Sequence, residues 1–340
     1  MTPLHVAVVR ESIPQDASAD ARDTLLQARS VQESLARCGW RTSELVFGPD
    51  PSLLEDELAR IHPDLVFNLV ESWHGLASLA CAAPALFRKA GFVFTGADEG
   101  SMALAGDKAL ARRLLHAAGL PVPAGATMEE LQRGVFPGVG TFIIKARFED
   151  ASLGLGPDCV VDVRDPQDLL AAMQDFAPRM GGVCVAERYV PGREFNVALL
   201  AKAGGGVRVL PLAEMVFDPA LSGPAILHYA AKWEHESADY AASARSFDLD
   251  GEEGLVAQMG RIALSCWELF GLAGYARIDF RVGENGRPCV IDVNPNPCIT
   301  PDAGFAAAAR QADLDHADVV RDIVRDALKR VGRLEMADRV

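Results

Sequence analysis

One stretch, residues 277–300, has the pattern of a β-hairpin with a polar face, and it constrains the rest of the chain most strongly. Side chains alternate between the two faces of a strand. Arg277, Asp279 and Arg281 are therefore predicted to share one face. Residues 283–286, Gly-Glu-Asn-Gly, are predicted to form the turn, because they tolerate positive φ angles.

The return strand carries a second polar set. Val290, Asp292 and Asn294 are predicted to share a face, and pairing of the strands can bring Asp279, Asp292 and Asn294 together. Two carboxylates and an amide oxygen are hard ligands that suit Mg²⁺. Because like charges repel, a strand pair has little structural reason to collect two carboxylates without a cation. A solvated polar face is the alternative, and the spacing alone leaves both open.

The order R-x-D-F, turn, D-x-N-x-x-P resembles the metal-binding end of the ATP-grasp superfamily, and most closely the D-alanine–D-alanine ligases and their relatives. The resemblance covers about residues 63–330. It implies an α/β chain of three-domain ATP-grasp architecture, in which an N-terminal parallel α/β domain precedes two α+β domains that clasp ATP. It also implies that Asp279, Asp292 and Asn294 hold two Mg²⁺ ions on the ATP phosphates, with Mn²⁺ as an alternative ion.

Composition limits the classes of partner. The net charge of −14, from 33 basic and 47 acidic residues, argues against binding a nucleic-acid backbone. No apolar run approaches the ~20 residues of a membrane span, and no signal peptide is evident. The seven cysteines, without C-x-x-C pairs, are predicted to be free thiols in a reducing compartment. We expect a cytoplasmic protein with small amino-acid-type partners, and a homodimer remains open.

Strands alternate with helices over the first part of the chain, which predicts a parallel α/β layer. Residues 217–246 are predicted to form a long polar loop, of a length typical of functional lids or disorder. The predicted division is an N-terminal domain at 1–96, a central domain at 97–185, a C-terminal domain at 186–333 that contains the mobile loop 217–246, and a frayed tail at 334–340.

Three lysines are predicted to contact ATP phosphates. Lys108 follows Asp107 in a segment similar to the family's D-K-x-x-x-K-x-x-L-x-x-x-G-(I/L)-P-x-P, although a lysine at a helix start is usually solvated. Lys145 lies in the apolar strand F-I-I-K-A, where a lysine needs an anionic partner. The resemblance makes phosphate that partner, and it assigns Lys232 of the loop to the transferred phosphate. Residues 147–156 take the place of the family's phosphate loop.

Residues 185–195, V-A-E-R-Y-V-P-G-R-E-F, resemble the family's link between the central and C-terminal domains. The resemblance implies that Glu187, with nearby backbone at Tyr189 and Val190, meets the adenine edge. It also implies that Glu194 binds the ribose hydroxyls. Carboxylates only accept hydrogen bonds, which suits an amine and a diol. The alternative for Glu194 is an exposed strand residue.

The substrate side departs from the family pattern. His74 with its following glycine resembles a His-Gly pair near the first amino-acid site, although a lone loop histidine is more often incidental. The family's G-G-x-S-x-E-R-E motif is absent, and Glu11, in a loop after a first strand at 4–9, is a loose candidate for its glutamate. The family's loop serine falls at Ala151, beside Ser152, and its tyrosine after the lid lysine is Trp233.

Arg277 is predicted to bind a tetrahedral intermediate, supplemented in the family by a backbone N–H from a glycine that is Cys298 here. A nucleophilic role of this thiol is disfavoured, because no helix N-terminus or paired histidine is evident.

The resemblance implies an ATP-dependent carboxylate–amine ligase that joins amino acids or similar substrates through an acyl phosphate, with mainly electrostatic catalysis. The altered substrate side predicts a pair other than two D-alanines. The alternatives are an authentic D-alanine–D-alanine ligase, an ATP-grasp enzyme of another branch (carboxylase or kinase-like), and a non-catalytic nucleotide-binding protein.

Overall fold

The computed structural model describes residues 2–14, 19–149, 152, 154–218, 223–227 and 242–338. Within these ranges the strands form one parallel and two antiparallel sheets. None of the described helices is both long enough and apolar enough to cross a membrane.

The parallel sheet is N-terminal and has the strand order β2-β1-β3. Its strands are β1 (His5–Glu11), β2 (Arg41–Phe47) and β3 (Leu65–Asn68). The helices of this part of the chain are α1 (Ala19–Arg37), α2 (Pro51–Ile61) and α3 (Ala82–Lys89). Val6 and Val8 of β1 pack with α1, whereas Ala7 and Val9 pack with α2 and α3. Both faces of the sheet are therefore buried, as parallel sheets require. The first strand continues to Glu11, so the predicted loop begins too early.

The second sheet is antiparallel, with the order β4-β7-β5-β6. Its strands are β4 (Gly125–Thr127), β5 (Gly140–Ala146), β6 (Val160–Val163) and β7 (Cys184–Arg188). Helices α4 (Glu99–Gly106) and α5 (Lys108–Ala117) precede the sheet, and α6 (Met128–Gln132) and α7 (Pro166–Phe176) lie between its strands in the chain. Asp107 caps α5 as predicted, accepting hydrogen bonds from the N–H groups of Ala109 and Leu110. The same carboxylate pairs with Arg147, just after β5, at 2.7 Å. This contact brings the start of α5 to the end of β5.

The third sheet has the order β11-β10-β8-β12-β13, and β9 pairs with β8. Its strands are β8 (Gly192–Ala201), β9 (Val207–Val209), β10 (Ala213–Phe217), β11 (Ser243–Ser246), β12 (Tyr275–Gly283) and β13 (Pro288–Pro295). Helix α8 (Glu253–Phe270) connects β11 to β12. Helices α9 (Gly304–Gln311) and α10 (His316–Arg330) follow. Phe305 of α9 and Ile323 of α10 join Val6 in one core, so the C-terminal helices return to the N-terminal sheet.

Two predictions about irregular segments need correction. The predicted loop at 217–246 ends in β11, which pairs antiparallel with β10, while residues 219–222 and 228–241 lie outside the described part. The tail is not frayed where it is described, because Leu334–Asp338 forms a 3₁₀ turn that buries Met336 and Ala337. The domain boundaries stay predictions.

Candidate active site

The polar face of the hairpin forms as the alternation predicted. Strands β12 and β13 pair antiparallel with Asp279 opposite Asp292 and Arg277 opposite Asn294. Residues directly opposite each other lie on the same face of a sheet. The Asn294 amide donates from Nδ2 to Asp279 Oδ2 at 3.0 Å and to the Arg277 carbonyl at 3.1 Å. The amide oxygen of Asn294 takes no part in these two bonds.

A β-bulge corrects the predicted face of Val290. The pairing shifts after Asp279, so that Val290 lies opposite Phe280 and is fully buried in the core. Val290 therefore does not share a face with Asp292, contrary to the alternation argument. Ile291 is the extra residue, and its carbonyl accepts a hydrogen bond from Lys145 Nζ at 3.3 Å. Bulges commonly redirect groups next to functional sites in this way.

Asp279 is buried and accepts four hydrogen bonds, from Arg277, Asn196 and Asn294. Arg277 binds it through both Nε at 2.7 Å and Nη2 at 2.8 Å. Asn196 of β8, which lies opposite Asp279 in the sheet, donates to Oδ1 at 2.7 Å. Asn196 is not among the site residues predicted from the sequence. Its available signal was the spacing of two from Glu194, which places both side chains on one face of β8.

Two lysines converge on Asp292. Lys108 Nζ lies 2.9 Å from Oδ1, and Lys145 Nζ lies 3.6 Å from Oδ2. Lys145 also lies 2.9 Å from Glu187 Oε2, so the protein itself supplies the anionic partners that a buried lysine needs. Glu187 is thus bound to a candidate phosphate-binding lysine, which the adenine assignment did not anticipate.

Opposing effects keep this cluster charged. Burial alone would raise the pKa of Asp292, but Lys108 and Lys145 outweigh it, so the pKa lies below its ordinary value. Burial alone would lower the pKa of Lys145, but Asp292 and Glu187 raise it above its ordinary value. Both groups are therefore ionised at neutral pH. A cavity of about 50 Å³ lies against this cluster and is also lined by Glu149 and Ser152.

Glu194 is buried, so the alternative interpretation, that it is an exposed strand residue, is wrong. Its Oε2 lies 3.0 Å from Arg281 Nη1. Burial raises the pKa of Glu194, and the Arg281 guanidinium opposes that rise. Arg281 also donates to the hydroxyl of Tyr189 and to the carbonyl of Val190, so the Arg281 side chain joins β12 to the stretch 189–194.

Comparison with known proteins identifies the family. Residues 142–325 match the family model described as the D-ala D-ala ligase C-terminus. The chain belongs to the D-Ala–D-Ala ligase family. It is 27% identical over 338 residues to a D-alanine–D-alanine ligase of Sphingopyxis alaskensis, covering 96% of this chain and 98% of the relative. It is 28% identical over 318 residues to that of a Caulobacter species, covering 92% and 91%.

The fold comparison agrees with the predicted fold class. The D-alanine–D-alanine ligase of Bacillus anthracis, in a crystal structure with ATP, has a TM-score of 0.70 at 15% identity, covering 96% of this chain and 98% of that one. The ATP-grasp architecture, with a parallel N-terminal sheet and two antiparallel sheets, is confirmed. The roles of individual residues stay predictions.

Of the remaining candidates in this ligase-family chain, Glu11, His74, Ser152 and Cys298 belong to the described residues. Glu11 is buried at the end of β1, accepting from Thr24 Oγ1 at 3.2 Å and from the Glu71 N–H at 3.1 Å, and burial raises its pKa. His74 is exposed, with its ring 4.8 Å from that of Trp73. Ser152 donates to the Leu227 carbonyl at 3.1 Å. The candidates Lys232 and Trp233, and also Ala151, lie outside the described residues.

Cys298 lies in the segment after β13 and contacts helix α1. Its thiol donates to Asp23 Oδ2 at 3.0 Å, and the next N–H, of Ile299, donates to Gln27 Oε1 at 2.6 Å. Burial, reinforced by the negative charge of Asp23, raises the pKa of this thiol. A protonated, hydrogen-bonded thiol is a poor nucleophile, which agrees with the sequence argument.

We expect Cys298 to resist alkylation in the folded protein, because a raised pKa keeps the thiol protonated at neutral and mildly basic pH. The measurement is iodoacetamide labelling at pH 8 followed by peptide mass spectrometry, with the half-buried Cys81 as internal control and urea-unfolded protein as positive control. Labelling of Cys298 faster than Cys81 in the folded protein would contradict this assignment.

Proposed function

We propose that this protein is an ATP-dependent ligase that activates the carboxylate of one amino-acid-type substrate as an acyl phosphate and joins it to the amine of a second. Its family membership supports ATP-driven peptide-bond formation. The observation that carries the residue assignment is the meeting of Asp279, Asp292 and Asn294 with Lys108 and Lys145 on one face. Such a face can bind both a divalent cation and a polyphosphate.

The residues present fit Mg²⁺. Asp279 and Asp292 carry carboxylate oxygens that would exchange part of their present hydrogen bonds and ion pairs for the cation. Asn294 offers an amide oxygen because its nitrogen is committed to Asp279 and Arg277. Within the described residues, no group of three or more His, Cys, Asp or Glu side chains forms a metal cluster. Phosphate oxygens and water would therefore complete the coordination. When bound, Mg²⁺ screens the negative charge of the transferred phosphate.

The lysines supply the remaining positive charge. Lys108 and Lys145 now contact Asp292, and we propose that they exchange this carboxylate for ATP phosphates when nucleotide enters. The present cavity of about 50 Å³ is far below the ~300–1,000 Å³ of a typical ligand pocket, so this exchange requires the cluster to open. Lys232 is proposed to contact the transferred phosphate.

Arg277 is proposed to stabilise the tetrahedral intermediate that forms when the amine adds to the carbonyl carbon of the acyl phosphate. The two hydrogen bonds that Arg277 donates to Asp279 fix its guanidinium on the same face as the proposed metal ligands. A fixed positive charge stabilises an oxyanion without reorganisation during the reaction. The Cys298 N–H is proposed as a second donor to that oxyanion.

We propose that the substrates are not two D-alanines. Ser152 is engaged with the Leu227 carbonyl, and Cys298 stands where the family has glycine with its thiol bound to Asp23. Glu11, without the family's N-terminal motif, is proposed for the first amino group, with His74 and Trp233 near the same substrate. The competing function is D-alanine–D-alanine ligation itself, which the names of the relatives favour. A cytoplasmic location belongs to the same proposal.

The test is phosphate release by the purified protein with Mg²⁺–ATP and amino acids supplied singly and in pairs. We expect release to depend on two amino acids, with a best pair other than two D-alanines and a dipeptide-like product by mass spectrometry. D-Alanyl-D-alanine formation at millimolar D-alanine, faster than with any other pair, would overturn the substrate proposal but not ligation. Release that needs no amine would overturn ligation itself and favour another ATP-grasp reaction.

A further inference from the structure

Arg281 is a buried arginine whose donors are all used. It lies on β12 two residues beyond Asp279 and is only 4% exposed. Nε donates to the Val190 carbonyl at 3.1 Å. Nη1 donates to Glu194 Oε2 at 3.0 Å and to the Ala225 carbonyl at 2.6 Å. Nη2 donates to Tyr189 Oη at 3.2 Å and to the Gly192 carbonyl at 3.1 Å.

These five acceptors match the five N–H donors of a guanidinium, and they come from two segments that are distant in sequence. One is the stretch 189–194, which leads into β8, and the other is the segment 223–227, which lies between the undescribed residues 219–222 and 228–241. A lysine has three donors on one nitrogen and cannot satisfy this arrangement. The site therefore requires arginine for geometry as well as charge.

We propose that Arg281 is a positioning residue for nucleotide selection: it orients Glu194 for the ribose hydroxyls and fastens the segment 223–227 beside it. The inference rests on the proposed function, in which Glu194 binds ribose. It goes further by assigning to Arg281 the discrimination between nucleotides with and without those hydroxyls.

The electrostatics of Glu194 require a cation at this point. The charged groups that act on Glu194 are Arg281 and Asp279 from β12 and Lys145 from β5. Arg281 is in direct contact with it, whereas Asp279 adds repulsion. A buried carboxylate without its cation is neutralised or turns toward other donors. The ion pair uses Oε2, and Oε1 is the carboxylate oxygen outside it.

The segment 223–227 is held at two points. Ala225 accepts from Arg281 at 2.6 Å, and Leu227 accepts from the Ser152 hydroxyl at 3.1 Å. Ile226, between them, is buried. Ser152 also lines the cavity beside Lys108 and Lys145. The segment thus connects the proposed ribose end of the nucleotide site to its phosphate end, and Arg281 holds it at the ribose end.

The experiment is calorimetric binding of ADP and of 2′,3′-dideoxy-ADP to the full-length protein with Mg²⁺ and without amino acids, so no turnover is involved. Wild type is expected to bind ADP about tenfold to a hundredfold more tightly than the dideoxy compound, from hydrogen bonds to a charged acceptor. Arg281→Met should weaken ADP by at least about tenfold and leave the dideoxy compound within about threefold, so that discrimination disappears.

Arg193→Met is the matched control. Arg193 lies on the same strand as Glu194, one residue before it and on the opposite face. Its guanidinium pairs with two glutamates, Glu214 and Glu252. We expect this variant to keep wild-type discrimination. Combining Arg281→Met with Glu194→Gln should add almost nothing to the effect of Glu194→Gln alone, because both remove the same interaction.

A wild-type ADP preference in folded Arg281→Met overturns the inference. Should that variant fail to fold, Arg281→Lys decides: an intermediate preference supports the inference, and a wild-type preference overturns it. Absence of discrimination in wild type removes Glu194 from the ribose and overturns the inference as well. Ligase function would stand or fall separately, on amino-acid-dependent phosphate release by wild type.

Discussion

Asp292→Asn is expected to lower kcat by about 10²–10³-fold while leaving the fold intact. Asn has the shape of Asp but lacks the negative charge that holds a divalent cation and faces Lys108 and Lys145. The phosphate charge would then be incompletely screened in the transition state. The measurement is amino-acid-dependent phosphate release over a range of Mg²⁺ concentrations, with circular dichroism to confirm folding.

Glu284→Gln is the matched control, because Glu284 is an exposed carboxylate in the turn of the same hairpin. We expect it to retain wild-type kcat. Near-normal turnover of Asp292→Asn at limiting Mg²⁺ would remove Asp292 from the metal site. A large loss in both variants would instead indicate that the hairpin is sensitive to any change of charge.

Lys145→Met is expected to reduce both stability and activity. The lysine is buried between Glu187 and Asp292, and removing one partner of a buried ion pair costs about 3–5 kcal/mol because the other charge is left uncompensated. The activity should fall by a further large factor, since a phosphate ligand is lost. Urea unfolding followed by circular dichroism measures the first effect, and kcat/KM for ATP the second.

The double variant Lys145→Met, Glu187→Gln separates these two roles. Removing both charges together should restore much of the lost stability, because no buried carboxylate is stranded at Glu187, but it should not restore ATP turnover. Lys89→Met is the control, since the exposed Lys89 pairs with Glu55 at the surface and should change stability by less than about 1 kcal/mol. Full activity of folded Lys145→Met would contradict the phosphate assignment.

Parts of the candidate site were predictable because they depend on neighbours in the chain. Strand alternation placed Asp279 and Asp292 on one face, and the cap at Asp107 followed from residue type. The bulge at Ile291 was not predictable. It depends on Phe280 taking Val290 as its partner in the core and on the Val290 N–H donating to the Pro121 carbonyl at 2.8 Å. The alternation of side chains along one strand does not specify how that strand packs with distant segments.

The same limit explains the misjudged end regions. The predicted lid ends in β11 because β10 offers an edge to pair with, although residues 243–246, Ser-Ala-Arg-Ser, contain no β-branched or aromatic side chain. The C-terminal tail packs because Met336 and Ala337 reach a core built from the N-terminal sheet and α10. Each outcome is decided by a surface contributed from elsewhere in the chain.

The sequence by itself determined the local chemistry of this protein: a hairpin with acidic and amide side chains on one face, a lysine in an apolar strand, and a glutamate two residues after a P-G turn. Only the tertiary structure decided which groups meet. Arg281 and Glu194 are 87 residues apart, and Lys145 and Ile291 are 146 apart. Such pairs form because buried charges need partners wherever the packed sheets bring them, and no local pattern specifies that choice.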